Sequence, residues 1–328
     1  MRQVSSFAPM SRRGFLLTGA AASMAGLARP VFGQEQFPDR MIELIVHQGA
    51  GGGTDLTAHA VIRALRETVG WQVGLTRKTG AGGAVAHEYI GSQPADGYTV
   101  SVFTGAQAVV MLRGASSLSL DDLTFLGRAT LDPSYLMVSA ASPYQTAQDL
   151  IDAGKAGSIS VGVVSLGGGD HITMFLFARD TGMQEMRAVP IASGGESAIN
   201  LVGGDIDSAM LGISEAAAQI EGGEIRPLIN FSESRSPDLP EVPTARELGI
   251  DLSRPTMRGF AVMKDTPEDR VAILREGFMT AMNSASFQEF LQTSGIPLDS
   301  IASGEDYEAM LRREYSDAEV ALTELGLL

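Results

Sequence analysis

The 328-residue sequence contains no cysteine. That excludes a disulfide framework, a thiol nucleophile, a cysteine zinc site and a cysteine-held iron–sulfur cluster. Lysine occurs only at 78, 155 and 264, and none completes G-x-x-x-x-G-K-[ST], so a P-loop is absent. The histidines, His47, His59, His87 and His171, form no HExxH and no close pair, which leaves little basis for a metal site. They read as polar residues at loop edges. The serine-hydrolase elbow G-x-S-x-G is also missing. Its nearest approach, "GISEA" at 212–216, lacks the second glycine, and no histidine follows His171 to act as the base. Carboxylates such as Asp121, Asp122 and Glu241 lie in polar contexts, and nothing singles out an acid–base pair. Positive charge is scarce: 24 Lys and Arg against 39 Asp and Glu, a formal net charge of −15. Such a surface repels nucleic acid and anionic membranes, and neither is expected as a partner.

The first 33 residues are basic and free of acids. "SRRGFLL" at 11–17 holds an arginine pair, and the small-residue apolar stretch 14–27 follows it. The stretch is too short to span a bilayer, and small residues near Gly33 offer a cleavage site. The segment is read as a twin-arginine export signal, with an ordinary Sec signal as the alternative. Without residues 1–33, which hold four arginines and no acids, 20 basic residues face 39 acidic ones, a net charge of −19.

Apolar, β-rich runs alternate with helical patterns along the rest of the chain. Strands are expected at 41–46, 98–103, 135–140, 159–164, 207–211, 225–231 and 258–263. Helices are expected at 54–69, 145–153, 170–181, 267–282 and 305–325. This alternation predicts an α/β architecture with largely parallel sheets. The best linker candidate is 232–250, which has three prolines between 237 and 243.

Four glycine clusters fall at strand ends: 49–53, 80–83, 166–170 and 193–197. Neither of the first two completes G-x-G-x-x-G, and no acid lies about twenty residues past the first, so a dinucleotide fold is a poor match. Glycine admits close approach of a ligand to the main chain, and a helix N-terminus offers free N–H groups and the positive end of a dipole. One such loop is an ordinary turn. Four meeting at one cleft make an anion site that needs no lysine.

The segments at 37–61 ("FPDRMIELIVHQGAGGGTDLTAHAV"), 77–100, 141–151, 189–207, 222–249 and 257–271 ("MRGFAVMKDTPEDRV"), in this order and near this spacing, resemble the extracytoplasmic solute receptors of tripartite tricarboxylate transporters, the Bug family. The likeness covers 37–328. It implies a two-lobed, type II periplasmic-binding-protein fold with a ligand cleft between the lobes. Residues 37–137 with 256–328 would form lobe one, and 138–255 lobe two. Carried over position by position, the resemblance implies ligand contacts from Gln48, Gly51, Gly52, Gly53, Thr54, Asp55, Ala81, Gly82, Gly83, Thr104 and Gly105 in lobe one. It implies Ser165, Gly167, Gly168, Gly169, Asp170, Ser193, Gly194, Gly195 and Glu196 in lobe two, with Arg258 at the return crossing. Many members carry an aromatic and a lysine after "VP", where this chain has Ile191 and Ala192. Many also carry a tryptophan before the last hinge strand, where this chain has Met257-Arg258-Gly259. The "RGF", "GAVA" and "GGES" forms look closer to the tricarboxylate branch.

The expectation is therefore a monomeric periplasmic receptor, without cofactor, metal or catalysis. It would capture a small organic carboxylate, di- or tricarboxylate favoured, and deliver it to a two-component integral membrane permease. An exported enzyme acting on carboxylates and a ligand-presenting sensor are the alternatives.

Overall fold

The computed structural model describes residues 37–328 apart from 51, 164, 165, 185 and 192. The expected export signal lies outside the described residues. The chain divides into residues 1–39 and a compact unit from Arg40 to Leu328, which holds everything described below. Among the described residues no helix is long and apolar enough to cross a membrane.

The strands are β1 (Ile42–Val46), β2 (Val73–Arg77), β3 (Thr99–Thr104), β4 (Leu123–Asp132), β5 (Ser134–Ser139), β6 (Ser160–Val163), β7 (Arg187–Pro190), β8 (Ser208–Gly212), β9 (Ile225–Asn230), β10 (Thr256–Met263) and β11 (Ala302–Ser303). They form a six-stranded sheet, β11-β4-β10-β3-β1-β2, and a five-stranded sheet, β7-β6-β8-β5-β9. Chain direction reverses where the chain changes sheet. β5, on which it enters the second sheet, is antiparallel to both β8 and β9. β10, on which it returns, is antiparallel to both β3 and β4. Both sheets are thus mixed, which corrects the expectation of largely parallel ones. The parallel pairs β1–β2, β1–β3, β6–β7 and β6–β8 are those joined by helical crossovers within one sheet.

The helices used below are α1 (Gly53–Thr68), α2 (Ala84–Ser92), α3 (Gly105–Leu112), α4 (Ala147–Ala156), α5 (Gly169–Thr181), α6 (Gly194–Gly203), α7 (Ile213–Glu221), α8 (Glu268–Met282), α9 (Ala285–Thr293) and α10 (Gly304–Glu324). Ile42, Leu44, Ile45 and Val46 of β1 are fully buried, as expected of a strand covered on both faces. α10 joins the two halves. Its Tyr307 and Leu311 pack with Phe103 and Phe125 against the first sheet, and the Tyr307 hydroxyl donates to the Phe103 carbonyl at 2.7 Å. Two turns on, Ala318, Ala321 and Leu322 enter the core of the second sheet with Ile172 and Phe177. α10 therefore reaches both cores.

Residues 232–250 are not a linker. Thr244 bridges to Asn230, and Ser236, Val242 and Ala245 are buried. The Asn230 side chain donates to the Ser234 carbonyl at 3.1 Å and accepts from Ser232 N at 2.9 Å. The prolines shape a segment that packs along the second sheet's edge strand.

Candidate functional site

A cavity of about 440 Å³ opens between the two sheets. His47, Gln48, Thr54, Gly82, Gly83, Thr104, Gly105, Ala106 and Val109 line it from the first half. Ser134, Gly168, Gly169, Asp170 and Thr173 line it from the second. The return segment Arg254–Arg258 and Glu314 of α10 complete the wall.

Three helices start at this cavity, and the first turns of two of them, α1 and α5, are built alike. α1 is capped by Gly52 and α5 by Gly168, neither of which supplies a side-chain oxygen to the first-turn N–H groups. Thr57 Oγ1 donates to the Gly53 carbonyl and Thr173 Oγ1 to the Gly169 carbonyl, each at 2.8 Å, which braces both starts. At α3, the Thr104 N–H donates to Gln107 Oε1 at 3.1 Å, while Thr104 Oγ1 is buried without a hydrogen-bond partner among the described residues. Helix starts of this kind favour an anion.

The second glycine loop is held in an uncommon backbone conformation. Gly80, Ala81, Gly82 and Gly83 have φ of 131°, 46°, 67° and 119°. Glycine takes such values freely, whereas Ala81 does so at a cost of about 1 kcal/mol. A polar chain fastens the loop from behind. Gln107 Nε2 lies 3.1 Å from His87 Nε2, and His87 Nδ1 lies 2.9 Å from Ser116 Oγ. With Gln107 Oε1 already accepting from Thr104, its amide donates to His87 Nε2, and the neutral ring donates from Nδ1 to Ser116. Burial holds the His87 pKa down at about 4. His47, also buried, is lowered to about 4, first by desolvation and then by His87. Both rings are therefore neutral and bring no positive charge to the cleft. Among the described residues no three His, Asp or Glu side chains come together to hold a metal ion.

Two guanidinium groups reach the cavity, in different situations. Arg258 donates to Asp132 Oδ2 across the β10–β4 pair and lies against Gly53, where a Cβ would collide with it. Arg254 is 7% exposed, and its Nε and Nη1 have no hydrogen-bond partner among the described residues. Its ion pair with Asp317 is long, at 3.9 Å. A buried guanidinium with unmet donors is costly unless a ligand supplies the acceptors.

Glu314 faces these groups. Its Oε2 lies against Gly105, at the first turn of α3, in the space a Cβ would fill. Burial raises its pKa to about 7; Arg254 opposes the shift and Asp317 adds to it.

Of the residues expected at the site, the cavity brings together Gln48, Thr54, Gly82, Gly83, Thr104, Gly105, Gly168, Gly169, Asp170 and Arg258. Gly52, Gly53, Asp55, Ala81 and Gly167 flank it without lining it. Gly51 and Ser165 lie outside the described residues. Ser193, Gly194, Gly195 and Glu196 stand off the wall. Ser193 caps its own helix, accepting from Glu196 N at 3.2 Å, and Gly194 packs against Glu215. Asp55, expected to contact the ligand, is paired with Arg77. The other nearby cation, Lys78, sits 3.8 Å over the Tyr89 ring. Sequence reasoning missed Arg254 and Glu314. The signal for Arg254 was its place in "SRPT", immediately before the return strand; Glu314 carried none, being one acid among several on a helix.

Comparison with known proteins agrees with this geometry. The family model described as "Tripartite tricarboxylate transporter family receptor" matches residues 57–326. A Cupriavidus necator protein described as "UPF0065 protein in gbd 5'region" is 31% identical over 292 residues, covering 86% of this chain and 88% of its own. The structure of a TctC solute-binding protein from Polaromonas superposes with a TM-score of 0.79 at 28% identity, covering 88% of this chain and 99% of that one. MatC from Rhodopseudomonas palustris, solved with bound malate, superposes at 0.71 with 22% identity, covering 87% and 100%. The fold is that of a two-lobed periplasmic binding protein, and the chain belongs to the tripartite tricarboxylate transporter receptor family.

Proposed function

We propose that the protein is a periplasmic solute receptor that captures a small organic carboxylate in the cleft and presents it to a two-component membrane permease. One observation carries this reading: the buried Arg254 guanidinium, with unmet donors, faces a cavity at which α1, α3 and α5 all begin. Helix starts and a planar fork are the groups that recognise carboxylate without much net positive charge. That matters for a chain whose overall charge of −15 opposes anion entry. Gly82, Gly105, Gly168 and Gly169 would offer main-chain N–H groups to one carboxylate, whereas the Gly83 N–H donates to the Gly80 carbonyl at 2.9 Å. Arg254 would take a second, so a dicarboxylate is favoured. The malate held by MatC supports that class.

Capture would proceed by closure of the half built on the first sheet on the half built on the second, with bending at Pro133 and at 253–255; the first crossing falls at Pro133 and not at 137/138, because Ser134–Ser139 pairs with β8 and β9. Ligand contacts from both lobes favour the closed form, which the permease would read. The arginine-bearing N-terminal segment and the family both support export to the periplasm. Mass spectrometry of small molecules released from gently purified protein tests the reading. A stoichiometric carboxylate is expected; recovery of a nucleotide, sugar or metal ion instead would overturn it.

A further inference from the structure

The acid at the cleft sits awkwardly for an anion receptor. Glu314 projects from the middle of α10 onto the cavity wall, with Oε2 against Gly105 at the start of α3. A ligand carboxylate would seek that same helix start. An ionised Glu314 would compete for it and repel the newcomer, whereas a protonated one would donate a hydrogen bond to it. Resting on the carboxylate-receptor reading, we propose that the cleft takes its ligand together with one proton, held on Glu314, while Arg254 grips the ligand beside it.

The surroundings fit this division of labour. The charged groups acting on Glu314 are Arg254 of the return segment and Asp317 one turn along α10. Asp170 of α5, Arg258 of β10 and His47 share the cavity wall. Tyr307, two turns back on α10, is buried and its pKa is raised well above the ordinary value, so it stays neutral. Arg258 pairs with Asp132 through Nη1, and its Nε has no hydrogen-bond partner among the described residues. His47 is desolvated and held neutral to about pH 4, so it is a poor proton acceptor in this range. Glu314, poised near pH 7 by burial, takes a proton from bulk water at small cost. A dianion arriving nearby raises its proton affinity further. The proton comes from buffer and forms an O–H bond on a Glu314 oxygen; no other bond changes.

The test is calorimetry with succinate, malate or adipate, whichever saturates the cleft, each fully ionised at pH 7.5. Titrations in phosphate and in Tris differ in apparent enthalpy by the protons exchanged. The expected result is net uptake approaching one proton, with affinity weakening about fivefold between pH 6.5 and 8. Glu314→Gln, a neutral isostere, should bind with no buffer dependence and a flat pH profile. Equal wild-type enthalpies in the two buffers would overturn the proposal without needing the variant. Uptake that persists in Glu314→Gln would place the proton elsewhere and overturn it too. If none of the three acids binds, the carboxylate reading itself falls, an outcome distinct from binding without proton uptake.

Discussion

Arg77 Nε donates to Asp55 Oδ1 at 2.9 Å, tying the first turn of α1 to the end of β2. Asp55 is buried, at the third position of the helix, where a negative charge also meets the helix dipole favourably. Asp55→Ala should cost about 1–2 kcal/mol of stability, since its partner is partly exposed and can rehydrate. A double-mutant cycle with Arg77→Ala should show most of that loss as coupling, and carboxylate affinity should change by less than about threefold. Additive losses would mean that the pair is incidental.

The two cleft arginines should separate by phenotype. Arg254→Ala removes a buried cation with unmet donors, so the ligand-free protein should be no less stable, or slightly more. Ligand affinity should fall by about 2–5 kcal/mol. Arg258→Ala strands Asp132, whose Oδ1 is already buried and unpartnered among the described residues, so it should lower stability by about 1–3 kcal/mol. Melting temperatures and calorimetry on the two variants decide this. A reversed pattern would make Arg258 the ligand anchor.

The left-handed run in the second loop makes an asymmetric prediction. Gly83→Ala forces a side chain to φ of 119° and presses its Cβ to 3.1 Å from Gln107 Cγ. It should destabilise by about 1–3 kcal/mol and weaken binding. Ala81→Gly relieves a positive φ and should be neutral or stabilising within about 1 kcal/mol. Denaturant unfolding measures both; a clearly destabilised Ala81→Gly would contradict the strain argument.

Stability should depend on pH with two opposing signs. His47 and His87 have folded pKa values lowered from 6.5 to about 4. As pH falls from about 6.5 to 4 the unfolded chain binds protons that the folded one refuses, so stability is lost, by roughly 3 kcal/mol per histidine at most. Glu314 has its pKa raised from 4.5 to about 7, so its contribution is fully present below pH 4.5 and is lost as pH rises towards 7. Replacing His87 with Asn should flatten the acid limb, and Glu314→Gln should flatten the rise in the opposite direction. Unfolding curves between pH 4 and 8 that were unchanged in both variants would contradict the burial argument.

Much of this fold was legible because buried strands read as apolar runs. Ile42 to Val46 and Val100 to Phe103 announce themselves, and the spacing of Val61, Ala64 and Leu65 marks α1. β4 was not legible. Gly127 and Arg128 interrupt its pattern, and only the fold shows that Arg128 is buried, donating from Nε to the Ser300 carbonyl at 2.6 Å. The prolines of 237–243 mimicked a linker because local chemistry cannot reveal that a segment packs against a distant strand. At the site, glycines before helices pointed to the cleft. Arg254 and Glu314 come from segments far apart in sequence, and topology alone brings them to one cavity.

A receptor cleft of this build should bind a carboxylate through Arg254 and the converging helix starts, without transforming it. Titration calorimetry of the protein against succinate, malate and adipate, with Arg254→Ala in parallel and the ligand analysed afterwards, is the deciding measurement. One-to-one binding of at least one of these acids is expected, with a loss of about a hundredfold or more in the variant and full recovery of unchanged ligand. Binding that survives Arg254→Ala undiminished, or ligand consumed during incubation, would contradict it.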